Sequence, residues 1–120
     1  MDEFLILIIE PEWDEASVTE DDWKREAVLH AEFSQAVRDA GCEVRGGNAL
    51  KGDAQSVRVR PGRNGAATLI TDGPFAETKE ILSGYYIVTA ADIAQATRFA
   101  ELCPTAGYNE VRPILDISEY

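Results

Sequence analysis

The chain has 120 residues, enough for one hydrophobic core and a single domain over 1–120, but small for a protein that must also enclose a large cofactor. Carboxylates outnumber basic side chains by 22 to 11, the net charge is −11 and no Lys/Arg-rich run interrupts the excess, which excludes a surface built to grip phosphate backbones. No apolar run approaches the roughly 20 residues that cross a bilayer, the first residues are acidic, and Cys42 and Cys103 lack metal-ligand spacing, so a cytoplasmic protein with reduced thiols and no membrane or nucleic-acid partner is expected.

Residues 4–9, Phe-Leu-Ile-Leu-Ile-Ile, closed by Glu10 and Pro11, predict a strand apolar on both faces. A loop over 12–18 leads to Thr19, a helix N-cap, followed by Glu20, Asp21 and Asp22 where the helix dipole favours acids. Trp23, Ala27, His30, Ser34 and Val37 then recur on one helical face, flanked by Leu29, Ala31, Phe33 and Ala36, and Gly41 ends the helix. Gly46, Gly47 and Asn48 suit a bend or bulge. Residues 56–60 alternate as a half-exposed strand, 61–65 form a hairpin turn, and 66–71 return as the partner strand. A strand apolar on both faces is expected at 84–89, and a second helix at 92–102 with Ile93, Ala96, Phe99 and Ala100 inward. Cys103-Pro104 ends it, and a last strand follows at 111–117.

This order predicts an α+β fold, a ferredoxin-like βαββαβ-type antiparallel sheet with two helices on one face. The other face then needs cover, because exposed apolar area costs about 25 cal/mol for each Å². A second copy of the chain, packed sheet to sheet, supplies it with the least machinery, so a homodimer is expected.

His30 is the chain's one histidine, and it lies on the apolar helical face. It reads either as a core-edge imidazole bonded to a backbone carbonyl or as a general acid/base, and the second role needs a partner. Asp72 suits that part, since the turn at Gly73-Pro74 fixes its direction; its plainer role is an Asx-turn that bonds only the backbone. If the two meet, the carboxylate favours the charged imidazole and the pair contributes about 10²- to 10⁴-fold in rate. Phe75, Glu77, Lys79 and Tyr86 are the candidate ligand-binding residues, with Glu77 or Lys79 orienting an anionic or carbonyl-bearing ligand, though a charge run also reads as a solvated face. Tyr85 and Tyr86 point to opposite faces of their strand. Arg58 and Arg60 can reach a carboxylate, or face solvent. No nucleophile elbow, phosphate-binding glycine loop or metal cluster appears, so neither metal nor organic cofactor is expected.

Residues 72–80, Asp-Gly-Pro-Phe-Ala-Glu-Thr-Lys-Glu, followed by Gly84-Tyr85-Tyr86, resemble the signature of the DGPF-domain proteins, a branch of the YCII-related family. His30 and Phe33, Gly46-Gly47 with Leu50, residues 57–60 and residues 110–113 fit the same pattern in order, across nearly the whole chain. Ser83 stands where that pattern has a second glycine, a departure expected to leave the site untouched. The resemblance implies a dimeric α+β barrel and assigns His30 and Asp72 to a catalytic pair. It also implies cofactor-free chemistry on small, often cyclic molecules: elimination, isomerisation or lactone-type reactions. The alternative it admits is a non-catalytic ligand- or partner-binding module associated with a sigma factor.

Overall fold

A central four-stranded antiparallel sheet carries both helices in the computed structural model, which describes residues 1–75, 80–118 and 120. The elements in chain order are β1 (Asp2–Pro11), α1 (Glu20–Asp39), β2 (Val44–Ala49), β3 (Val57–Arg60), β4 (Leu69–Asp72), β5 (Glu80–Ala90), α2 (Ile93–Leu102) and β6 (Tyr108–Pro113). The sheet order is β2-β5-β1-β6, which is the ferredoxin-like arrangement once β3 and β4 are set aside. Among the described residues those two strands pair only with each other, as a separate two-stranded sheet, instead of joining the main one.

Alternation along β1 decides the layers. Phe4, Ile6 and Ile8 are buried against Phe33 and Val37 of α1 and Ala96 and Phe99 of α2, with Val88 and Ala90 of β5 beside them. Leu5 and Leu7 point the other way, opposite Ile87 and Tyr85 of β5, and no helix covers them; all four are half-buried. The expectation of two apolar faces holds for composition, but a single chain fully buries only the helix-side face.

Helix α1 begins where the sequence predicts. The Thr19 hydroxyl accepts from the Asp22 N–H at 3.1 Å while the Asp22 carboxylate accepts from the Thr19 N–H at 2.9 Å, a reciprocal capping box. The cap holds the Asp22 carboxyl below its usual range, first through the Thr19 backbone N–H and then through the Thr19 hydroxyl, with Arg25 adding its charge. Gly41 stops the helix with a φ of +77°, open to glycine at little cost. The apolar stripe packs on the sheet only in its second half, at Phe33 and Val37. Trp23 and Ala27 are exposed because that end of the stripe lines a cavity.

Of the bend or bulge expected at residues 46–48 the fold has the bulge: they belong to edge strand β2, with a register shift between Val44 and Gly46 where it meets β5. Two expectations are corrected. The last strand starts and stops earlier than 111–117, because Asn109 donates its side-chain amide to Ala100 O at 2.9 Å and Cys103 O at 2.8 Å, pinning the start of β6 beneath the end of α2. Ile93 is exposed at the first turn of α2, where Asp92 caps the helix by accepting from the Gln95 N–H. Cys42 and Cys103 are buried free thiols, and burial pushes Cys103 up to about 12. No helix among the described residues is long and apolar enough to cross a membrane.

Candidate functional site

One helical turn separates Glu26 from His30, so both side chains leave α1 on the same side, over the edge where β2 pairs with β5. Tyr86 rises from β5 to meet them. Its hydroxyl lies 2.7 Å from His30 Nδ1, and the Glu26 carboxylate lies 3.6 Å from Nε2, within ion-pair range but beyond a hydrogen bond. Burial raises the Tyr86 phenol above its usual pKa, with the neighbouring Cys103 thiol a lesser cause. In the tautomer with its proton on Nε2, Nδ1 accepts from the protonated phenol. The nearby carboxylate favours the remaining ring proton on Nε2. Phe33 seats the Tyr86 ring from below, with centroids 4.6 Å apart and planes tilted by 45°.

These groups face a cavity of about 360 Å³ between α1, β2, β5 and the end of β1. Its aromatic end is Trp13 against Trp23, edge to face with centroids 6.0 Å apart. Glu10 and Glu26 are its carboxylates, and among the described lining residues there is no lysine or arginine. Glu10 is held in place by accepting from the Ala106 N–H at 2.7 Å. An interior of this kind repels anions and suits an uncharged or cationic ring.

Gly47 explains how Tyr86 comes so near. A Cβ there would stand 2.6 Å from Tyr86 Cδ1 and 2.9 Å from the Tyr85 carbonyl oxygen, so only a residue without a side chain lets β2 pass under the ring. Gly47→Ala is expected to push the Tyr86 ring aside and lengthen its hydrogen bond to His30. The check is the His30 and Tyr86 ring signals by NMR, with unchanged shifts overturning the expectation.

The sequence-derived residues do not all meet. Within one chain the structure brings together His30 and Tyr86, and it adds Glu26, which the sequence reading passed over although its i,i+4 spacing to His30 was visible. Asp72 ends β4, exposed and opposite Val57, and is not part of the cavity wall. The Asp-Gly-Pro-Phe turn is anchored elsewhere: the Phe75 N–H donates to Asp53 at 2.9 Å, the Arg58 guanidinium sits 3.6 Å above the Phe75 ring, and a Cβ at Gly73 would strike the Asp53 carbonyl oxygen at 2.1 Å. Phe75 lines a separate hollow with Asp53 and Arg58. Glu77 and Lys79 lie outside the described residues. Tyr85, on the face opposite Tyr86, accepts from the Asn48 side-chain amide at 2.9 Å, and both tyrosines contribute to the wall. Ser83 was expected to leave the site untouched, yet it lines this cavity. No group of side chains suited to hold a metal ion occurs among the described residues.

The chain matches a protein of Rhizobium meliloti (strain 1021) named "Uncharacterized protein R00369", with 45% identity over 51 residues. The match covers 39% of this chain and 41% of that protein's length. A broader comparison takes in almost every element described above: the model of the YCII-related domain matches residues 7–118, and the chain belongs to that family.

Proposed function

We propose that the protein is a cofactor-independent acid/base catalyst acting on a small, uncharged or cationic organic molecule, with His30 as base, Tyr86 as oxygen-binding donor and Glu26 as the carboxylate that orients the imidazole. The observation that carries this reading is the placement of the chain's one histidine in a cavity wall, 2.7 Å from a phenol held protonated by burial and 3.6 Å from a carboxylate. A carbonyl oxygen entering the cavity takes over the Tyr86 hydrogen bond, which frees Nδ1. That nitrogen then removes a proton from the carbon beside the carbonyl: the C–H bond breaks, an N–H bond forms, and the electron pair passes into an enolate whose oxygen Tyr86 holds. Returning the proton to another carbon gives isomerisation, and loss of a β-leaving group gives elimination.

A homodimer packed sheet to sheet belongs to the same reading. Its support is the uncovered face that carries Leu5, Leu7, Tyr85 and Ile87. Free, buried thiols support a reducing, cytoplasmic setting. The His30–Asp72 pair is part of the proposal only if a second copy brings Asp72, since within one chain His30 engages Tyr86 and Glu26.

The test is proton exchange in heavy water, followed by NMR on small cyclic ketones and lactones. Saturable, protein-dependent loss of the hydrogen beside the carbonyl is the expected result. Absence of exchange across the whole set, with the protein folded, overturns the reading.

A further inference from the structure

We infer that the cavity takes an organic cation, an ammonium-bearing carbonyl compound whose cationic end lies in the corner between Trp13 and Trp23, with Glu10 and Glu26 as its counter-charges. The inference deepens the acid/base reading above and rests on it for the carbonyl end of the ligand. The two indole planes stand at 76° with centroids 6.0 Å apart, so they form two walls of a corner, and the faces of such rings attract a cation. Two turns of α1 separate Trp23 from His30, about 10 Å along the axis, and Glu26 lies between them, one turn from either. A ligand with its cation at the indoles and its carbonyl at Tyr86 therefore runs past the Glu26 carboxylate.

Charge decides the sign of the occupant. Glu10 and Glu26 line the cavity, and among the described lining residues no lysine or arginine balances them. Lys24 and Arg25 follow Trp23 on the helix, but they pair with Glu20 and Asp22 and are not part of the wall. The two carboxylates converge from different elements, Glu10 from β1 and Glu26 from α1. Both charges help to hold up the pKa of the Cys103 thiol, of which burial is the larger cause. An anion entering here meets two like charges and an uncharged ring gains apolar contact alone, whereas a cation gains the indole faces and the carboxylates together. Two buried polar atoms of the same wall, Trp13 Nε1 and Ser83 Oγ, have no hydrogen-bond partner among the described residues, as in a wall that a bound molecule completes. Ser83 sits where β5 bulges, its register with β1 passing from Gly84 directly to Leu82, and a bulge re-aims the side chain it carries.

Indole fluorescence reports on this cavity alone, because Trp13 and Trp23 are the chain's two tryptophans. The experiment titrates the full chain, at fixed ionic strength, with a methyl ketone that carries a trimethylammonium group at the far end of a short methylene chain. Its uncharged tert-butyl counterpart and the matching carboxylate serve as the comparison. The expected result is that the ammonium ketone binds about tenfold or more tightly than the tert-butyl ketone, that tetramethylammonium displaces it, and that the carboxylate does not bind. Trp23→Leu and Glu10→Gln are each expected to shrink the preference for the cation. Trp23 is largely exposed and a glutamine at position 10 can still accept from the Ala106 N–H, so circular dichroism should show the same folded chain in both. Equal affinity for the charged and uncharged ketones, or a preference that survives unchanged in both variants, overturns the inference. Proton exchange on the uncharged ketone without any preference for the cation overturns it too, while leaving the acid/base reading standing. A cation preference that both variants shrink, with no exchange on any of the ketones, upholds the cation site and overturns the acid/base reading instead.

Discussion

His30→Gln is expected to slow proton exchange on a responsive ketone or lactone by about 10²–10⁴-fold while the protein stays folded. Glutamine is a good helix former, His30 is only half-buried, and the new amide oxygen can still accept from the Tyr86 hydroxyl, so neither helix nor phenol loses its place. What is lost is a ring nitrogen able to take a proton from substrate. Glu26→Gln is expected to have a smaller effect, because at 3.6 Å and half in solvent the carboxylate orients the imidazole without contacting the reacting atoms. Tyr86→Phe separates the two jobs of that residue: the ring still packs on Phe33, but the enolate oxygen has no donor, so the turnover number falls more than substrate affinity does. Rates should be taken from deuterium exchange at saturating substrate. If His30→Gln retains the wild-type rate, the base lies elsewhere and the assignment of this cavity fails.

Phe33→Ala is expected to lower the free energy of unfolding by about 3–5 kcal/mol. The side chain is fully buried, at the point where α1 meets the sheet, among Ile6, Val37 and Val88. Removing the ring leaves a void that rigid neighbours on β1 and β5 cannot close, so the loss includes the cavity as well as the transfer of apolar area. Domains of this size are stable by about 5–15 kcal/mol, so this one change consumes a large part of the margin. It also unseats Tyr86, whose ring rests on Phe33, so at temperatures where the variant is still folded the exchange rate should drop as well. Urea denaturation read by circular dichroism gives the first quantity. A change below about 1 kcal/mol would mean that the site collapses around the void, contrary to the packing described.

Local signals in the sequence marked some elements closely and misplaced others for one reason. The capping residue Thr19, the terminating Gly41 and the apolar run 4–9 act within a few residues of themselves, and each does in the fold what its chemistry predicts. Gly47 carries a second message: read locally it signals a bend or a bulge, while in the fold its bareness also answers to Tyr86, 39 positions away in sequence. The separation of β3 and β4 from the main sheet is equally invisible locally, since alternation announces a strand but not the sheet it joins. In the candidate site, His30 and Tyr86 were legible as side chains of the right chemistry. Their contact was not, because it depends on how α1 lies across β5. Glu26 is legible from its i,i+4 spacing to His30 on the same helix, whereas Asp72 lies on a different element.

The place of β1 in the sheet bears on how the chain comes to be folded at all. It lies between β5 and β6, so the apolar run Phe4–Ile9 has no strand partner until residues beyond 80 have been synthesised, and its second edge stays open until residues 108–113 arrive. Through most of synthesis the stickiest segment of the molecule is an unpaired strand. Pairings this distant close slowly and expose a nascent chain to self-association in the meantime. The acid-rich stretch 10–22 that follows β1 serves as the gatekeeper such a strand needs, keeping neighbouring nascent chains apart by charge until its partners emerge.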